Sequence, residues 1–244
     1  MKISGVTVSD PKHINGLKLS WVNITTVQIS AGSARDTNDV TNIVLGGTQN
    51  VVITASGING LATGSESGST WYSVWVVSGA SGTGGLLSAH ATAPTLPAGY
   101  NVAKRRIGWV YNHSDDNIQD FQMTGDGRDR TVWWNETGAD YIKVLDDGNA
   151  TSWTVIDCSA RVPSTANEMV FWFYSADANT TVRVKPIDFL PLNTTNHSWA
   201  TANETKARTQ NCAIPMPGNK EVRYKCDSSD ASVFMIVTGW RETL

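Results

Sequence analysis

The sequence predicts an all-β protein built from antiparallel sheets, of the β-sandwich or jelly-roll-like kind, with two β subdomains. Apolar and polar residues alternate in short runs that Gly, Asn, Asp and Pro interrupt, which is the period-two pattern of strands joined by turns. Thr, Ser, Asn and Gly supply 88 of the 244 residues while only 17% are charged, unlike a helical bundle or a coiled coil. An apolar content of 40% is too high for a disordered chain.

The alternation places strands along the whole chain, with a margin of about two to four residues at each end. One further segment, residues 199–208, has the composition of a short helix. The predicted strands are 17–22, 24–30, 40–46, 50–55, 71–78, 85–90, 104–112, 117–123, 129–134, 152–158, 168–175, 181–186, 220–226 and 232–239.

Two of these strands, residues 71–78 and 168–175, are apolar on both faces. In a sandwich one face packs on the partner sheet, so the other face needs a second cover. That cover is either a loop of the same chain or another subunit, and the sequence leaves both open. The candidate interface residues are Trp71, Trp75, Trp172 and Tyr174.

The domain organisation follows from length and composition. A chain of 244 residues forms one or two hydrophobic cores. The composition shifts near residue 146, after which a fresh alternating pattern begins, so we expect a β domain over 31–146 and a C-terminal β-sandwich over 147–244. The first residues lack the apolar stretch of a secretory signal, and the longest apolar run has six residues against roughly 20 for a membrane span.

The charge and the cysteine content limit which partners the sequence predicts. The net charge of −3 provides no bulk positive field for a polyanion, so nucleic acid is not an expected partner. Cys158, Cys212 and Cys226 match no zinc or redox spacing. We expect them to be reduced core residues, with a disulfide between Cys212 and Cys226 as the alternative.

Sequence motifs for catalysis are absent. The chain has no Gly-X-Ser-X-Gly elbow, no phosphate-binding glycine loop and no histidine pair at ligand spacing. Its acidic pairs lack the twelve-residue spacing of a calcium loop and fit solvated turns. We therefore expect no enzyme activity, no metal and no cofactor, with a glycosidase that uses two of the many carboxylates as a distant alternative. The acidic pairs are Asp36 with Asp39, Asp115 with Asp116, and Asp126 with Asp129.

Adjacent tryptophans give the strongest sequence indication of binding. Trp133 and Trp134 point to opposite faces of one strand and precede a turn-like segment. An exposed Trp beside Asn and Asp is typical of lectin-type sites, whereas the alternative packs one ring in the core and the other at a subunit interface. The candidate residues for glycan or subunit contact are Trp133, Trp134, Asn112, Asp115 and Asp116.

Several segments together resemble a module of bacteriophage and prophage virion proteins of the tail-fibre-like type. Phrases such as STWY, TAPTLPAGY and RRIGW carry the resemblance, which covers most of the chain from about residue 31. The segments are AGSARDTNDVTNIVL (31–45), NGLATGSESGSTWYSVWVV (59–77), LLSAHATAPTLPAGYNVAKRRIGWV (86–110), IQDFQMTGDG (118–127), SWTVIDCSARVPSTANEMVFWF (152–173) and EVRYKCDSSDASVFMIVTGW (221–240).

The resemblance implies a non-enzymatic component of the virion surface, on head or tail, that assembles with other virion proteins. It further implies a symmetric oligomer, with a trimer favoured by analogy with fibres, and residues 1–30 as a candidate attachment segment. The roles left open are a capsid decoration protein, an adaptor, a fibre tip that binds a host surface glycan and, distantly, a polysaccharide-degrading tailspike. Pro94, Pro97, Gly99 and Gly108 lie in the shared motifs at positions typical of rigid connections and turns.

Overall fold

The computed structural model describes residues 2–3, 6–7, 11–135, 143–176, 180–188, 200–203, 210–216 and 218–244, with the backbone alone for 2–3, 6–7, 200–203 and 210–211. This part of the chain consists of antiparallel strands joined by turns and contains no α-helix, which confirms the all-β prediction. No helix long and apolar enough to span a membrane occurs in these ranges.

The chain divides into two compact units, Met1–Arg130 together with Leu244, and Thr131–Thr243. The sequence placed a boundary at residue 146, which lies within a strand of the second unit. The strands of the first unit are β1 (Lys2–Ile3), β2 (Val6–Thr7), β3 (Ile14–Gly16), β4 (Leu19–Asn23), β5 (Thr26–Ile29), β6 (Gly32–Arg35), β7 (Asn42–Leu45), β8 (Gln49–Val52), β9 (Thr70–Gly79), β10 (Gly82–Ser88), β11 (Ala103–Asn112) and β12 (Phe121–Asp126).

The remaining strands belong to the second unit, except that β13 begins two residues before the division. They are β13 (Asp129–Trp134), β14 (Lys143–Gly148), β15 (Thr154–Asp157), β16 (Glu168–Ser175), β17 (Thr181–Pro186), β18 (Ala200–Asn203), β19 (Gln210–Pro215), β20 (Glu221–Cys226) and β21 (Val233–Thr243).

In the first unit, strand β9 is central to a three-stranded sheet with the order β10-β9-β11. Its residues from Tyr72 to Val77 are all buried, so both faces are covered as the sequence predicted. One face packs under loops of the same chain, where Ile58, Leu96 and Tyr100 lie against the buried cluster that Trp75 forms with Val77 and Leu86. The loop alternative is therefore correct for Trp75, and its assignment as an interface residue is wrong, because only 2% of it is exposed.

The other sheets of the first unit run β12-β4-β5-β8 and β3-β6-β7. Gly108 marks a bulge in β11 opposite β9, at a φ of 155°, and a Cβ there would lie 2.7 Å from Leu19 Cδ1. Gly99 has a φ of 81° in the loop before β11. These two glycines thus have the close-packing and turn roles that the sequence indicated.

The second unit contains a sheet with the order β19-β16-β21-β13, to which β14 adds on β21, and a sheet with the order β15-β20-β17-β18. One face of β16 is fully buried through Phe171 and Phe173, which lie in register with Val237 and Met235 of β21. Met169 and Val170 are buried as well. The apolar strand predicted over 168–175 is therefore the central core strand of this unit.

The helix predicted over 199–208 is wrong where the structure describes it. Residues 200–203 form β18 and pair with β17 from Thr181 to Val184, while residues 199 and 204–208 lie outside the described ranges. Main-chain hydrogen bonds to a neighbouring strand outweigh the weak helix propensity of this segment. The other strands that the sequence missed are likewise short or lack clear alternation; they are β1, β2, β3, β6, β14 and β19.

Gly85 offers a test of the packing in the first unit. A Cβ at Gly85 would lie 2.3 Å from Val51 Cγ2 and 2.7 Å from Ile29 Cδ1, whereas a Cβ at Gly46 would meet no atom within 4 Å. We expect Gly85→Ala to lower the free energy of unfolding by about 1–3 kcal/mol through overpacking, with Gly46→Ala within about 0.5 kcal/mol of the wild type. Denaturant unfolding measures both, and equal stabilities of the two variants would contradict the packing described.

Candidate functional site

The polar loop over residues 112–117, one of the sequence-predicted sites, is anchored by a buried asparagine. Asn112 ends β11, is fully buried, and donates from Nδ2 to the carbonyl oxygen of Ser67 at 2.9 Å. A Cβ at Gly68 would lie 2.9 Å from the carbonyl oxygen of His113, so the two segments are in close contact. Asn112 is thus a positioning residue, and its assignment as a direct ligand contact is wrong because its side chain does not reach the surface.

The carboxylates of this loop are exposed. Asn117 Nδ2 donates to Asp115 Oδ2 at 2.8 Å, and His113 Nδ1 lies 3.1 Å from Asp115 Oδ1. The hydrogen bond from Asn117 is the largest cause of the lowered pKa of Asp115; burial acts against it, and the contact with His113 lowers the pKa further. Asp116 has a φ of 60°, a left-handed conformation that Asp tolerates at the tip of a turn. The loop therefore presents two exposed carboxylates, Asp115 and Asp116, whose oxygens can accept hydrogen bonds.

Behind the loop lies a carboxyl group that the sequence did not single out. Glu66 Oε1 and Asn112 Oδ1 are both buried, and neither has a hydrogen-bond partner in the described structure. Burial raises the pKa of Glu66 and the charge of Asp116 raises it further, while a hydrogen bond with Asn112 acts in the opposite direction. Only the fold brings Glu66 to Asn112, because nothing in the Ser- and Gly-rich segment around Glu66 forms a motif.

Trp133 and Trp134 are both half-buried on β13. The Trp134 ring lies 4.9 Å from that of Trp240, which is fully buried, at an interplanar angle of 55°. Trp134 therefore contributes to the core of the second unit. This agrees with the alternative in which one ring of the pair packs in the core. Trp133, directed to the other face and followed by the exposed Asn135, stays a candidate contact residue.

Among the candidate interface residues, Trp172 and Tyr174 are half-buried on β16, on the face opposite Phe171 and Phe173. Tyr174 stacks on Phe234 of β21, with ring centroids 5.0 Å apart and an interplanar angle of 18°. Phe234 is also half-buried. We call Trp172, Tyr174 and Phe234 the aromatic face.

Trp71, the remaining interface candidate, lies in the first unit among its own strand neighbours. Its ring is half-buried and contacts those of Tyr111 at 5.0 Å and Trp109 at 6.4 Å. The guanidinium of Arg106 lies 5.3 Å from the centre of the Trp109 ring. These contacts occupy much of the Trp71 ring within the chain, which leaves less of it for a subunit contact than the sequence suggested.

The cysteines do not form a reactive or metal-binding centre. All three are free, so the alternative disulfide between Cys212 and Cys226 is not formed. Cys158 and Cys226 are buried as expected for reduced core residues, and burial raises the pKa of Cys158 to about 12, which keeps it a thiol. Across the ranges that the structure describes, no three or more His, Cys, Asp or Glu side chains are grouped to hold a metal ion.

Comparison with protein-family models and with curated proteins finds no match to this chain.

The raised pKa of Glu66 makes the stability of the fold depend on pH. Because the folded state raises the pKa of Glu66, ionising it costs stability, and this loss grows as the pH rises from the ordinary carboxyl range to above the raised value. We expect Glu66→Gln to raise the melting temperature relative to the wild type at pH 7.5, with the difference shrinking towards zero at pH 3.5. Calorimetry at both pH values measures this difference.

The control for this prediction is Asp188→Asn, which removes an exposed carboxylate of the second unit. It should give no comparable gain at pH 7.5. A melting temperature for Glu66→Gln below that of the wild type at pH 7.5 would contradict the burial of the Glu66 carboxylate.

Proposed function

We propose that this chain is a non-enzymatic structural protein of a bacteriophage virion, located on the surface of the head or tail and assembled with other virion subunits. The resemblance of its segments to tail-fibre-like virion proteins supports this role, and so does its all-β architecture. The observation that carries the assembly part of the proposal is the aromatic face of the second unit.

The aromatic face has the properties of a subunit contact. It lies on β16 and β21, whose opposite side is the buried core, so its rings are held on a rigid sheet before any partner binds. Large aromatic side chains lose few rotatable bonds on binding and are enriched at protein interfaces. A rigid sheet also lowers the entropic cost of association. We therefore assign Trp172, Tyr174 and Phe234 to contact between copies of the chain, with a trimer as the expected assembly.

The oligomer has a direct test in light scattering. We expect the purified protein to give a mass near three times 26.4 kDa. Trp172→Ser should shift the mass towards 26.4 kDa, because losing an aromatic anchor from an interface typically costs about 2 kcal/mol or more of binding free energy. Val40→Ser, which changes an exposed valine of the first unit, is the matched control and should leave the oligomer intact.

Either of two results would overturn the assembly proposal. One is a wild-type mass of about 26 kDa in light scattering even at the highest protein concentration measured. The other is an unchanged oligomer in Trp172→Ser, with circular dichroism showing that the variant is folded.

The virion location has its own test, which does not depend on the oligomer. Negative-stain images of particles labelled with antibody against this chain should show label on the virion surface. Label over the whole head would identify a decoration protein, and label confined to the tail would identify a fibre or appendage component. Absence of label from intact particles, with strong label on the isolated protein, would refute the virion role.

Binding of a host surface glycan is the second candidate function. The observation that favours it is the exposed pair Asp115 and Asp116 on a loop fixed by Asn112 and Asn117, because carboxylates on a fixed loop accept hydrogen bonds from sugar hydroxyls. Label at the tail tip in the same images would support this candidate over decoration.

A further inference from the structure

Four cationic side chains lie together on one face of the β15-β20-β17-β18 sheet. Arg183 of β17 is directly opposite Lys225 of β20, and Lys185 of β17 is directly opposite Arg223 of β20. Residues two apart on a strand share a face, and opposite residues have Cβ atoms about 4.5–5.5 Å apart. The four side chains therefore form a compact patch, which we call the basic cluster.

A tryptophan lies against the basic cluster. Trp153 immediately precedes β15, the neighbour of β20, and its ring is half-buried. Lys185 Nζ is 4.5 Å from the ring centroid and Lys225 Nζ is 5.2 Å from it. Both ammonium groups are thus within the range of a cation–π contact.

The basic cluster is electrostatically costly for the fold. Like charges directly opposite each other on a sheet are destabilising. Lys185 is only 8% exposed, and burial lowers its pKa, as do the charges of Arg223 and Lys225. Asp227, the carboxylate that follows β20, accepts a hydrogen bond at Oδ1 from the backbone N–H of Thr181 at 2.8 Å. The contacts with Trp153 offset part of this cost, and the attraction between Asp227 and Arg183 offsets a further part.

Arg223 supplies an observation that points to a ligand. Its Nε is buried and has no hydrogen-bond acceptor in the described structure. A buried donor without an acceptor destabilises the fold, and more so when the group is charged. An anionic oxygen would supply the missing acceptor and reduce the repulsion among the four cations at the same time.

We propose that the basic cluster and Trp153 form a binding site for an acidic sugar. The carboxylate or phosphate group of the sugar accepts hydrogen bonds from Arg223 and its cationic neighbours, and the sugar ring packs on Trp153. Arginine suits this role because its planar fork matches the geometry of a carboxylate or a phosphate.

The size of the basic cluster favours a single sugar unit over a long polyanion. Two positions on each of two neighbouring strands outline an area of about 5 by 7 Å, close to the dimensions of one pyranose ring. A nucleic acid would need phosphate contacts along an extended positive surface, and the chain has a net charge of −3. The aromatic ring beside the charges adds the flat apolar contact that a sugar face requires.

The inference does not depend on the virion role. The sugar site is formed by the basic cluster and Trp153, whereas the proposed assembly uses the aromatic face on β16 and β21. The particle images and the light-scattering experiment can fail while the sugar site holds, and the reverse is equally possible.

Isothermal titration calorimetry of the full chain tests the site with four probes: glucuronic acid, glucose 6-phosphate, glucose and inorganic phosphate. We expect one of the two acidic sugars to bind at least tenfold more tightly than glucose and than inorganic phosphate. Tighter binding of glucuronic acid identifies a uronic-acid source, and tighter binding of glucose 6-phosphate identifies a phosphorylated sugar. Raising the salt concentration from 50 to 500 mM should weaken the binding several-fold.

Three variants locate the binding. Arg223→Gln should weaken the acidic sugar at least tenfold, and Lys225→Gln, at a half-buried position, serves as a second variant if Arg223→Gln does not fold by circular dichroism. Trp153→Ala should weaken the acidic sugar while changing the affinity for inorganic phosphate less than twofold. Lys18→Gln, which removes an exposed lysine of the first unit, is the charge-matched control and should bind like the wild type.

Four outcomes would overturn the proposal. The first is equal affinity for glucose and the acidic sugars. The second is equal affinity for inorganic phosphate and the tighter-binding acidic sugar, which would mean an adventitious ion only. The third is unchanged binding in the folded variants, and the fourth is tighter binding of a single-stranded oligonucleotide, titrated in the same way, than of either acidic sugar.

Discussion

The need to cover strands that are apolar on both faces is the constraint on which this structure depends. Strand β9 meets it inside the chain, because Ile58, Leu96 and Tyr100 come from loops on either side of the β9–β10 hairpin in sequence and close over Trp75. These long connections are therefore held both by burial and by backbone hydrogen bonds, such as that from Asn59 N–H to the carbonyl oxygen of Gly85 at 2.8 Å. Burying a ring the size of Trp75 is worth several kcal/mol, enough to offset much of the entropy lost by the covering residues.

On strand β16 one face is fully buried, whereas the other face, on which Val170 is also buried, leaves its aromatic rings partly exposed in the described structure. Phe171 and Phe173 complete the core of the second unit, while Trp172 and Tyr174 stay half-buried beside Phe234. The two strands share a composition, yet one is a closed interior element and the other presents aromatic rings at a surface. This contrast is the physical reason for placing subunit contact on the second unit and not on β9.

Glu66 and Arg223 each have a buried polar atom without a hydrogen-bond partner in the described structure. Folded proteins satisfy nearly all such groups, so each exception indicates strain, a switch or a missing ligand. At Glu66 the cost takes the form of a raised pKa, because a carboxyl group can bind a proton. Arg223 has no such response, since guanidinium stays charged, and its Nε has no acceptor in the described structure. An unpaired buried group therefore has different consequences at the two residues. Glu66 makes stability depend on pH, whereas Arg223 marks a candidate ligand site.

The sequence by itself determined the all-β class and the positions of most strands, because period-two alternation is a local property of residues such as those of β9, β16 and β20. It could not show that residues 200–203 pair with β17, since propensity is weaker than the hydrogen bonds of a neighbouring strand. Nor could it show that Asn112 and Trp75 are buried, or that Arg183, Lys185, Arg223 and Lys225 share one face beside Trp153. Those facts depend on strand register and on loops far apart in the chain, and only the tertiary structure brings such residues together.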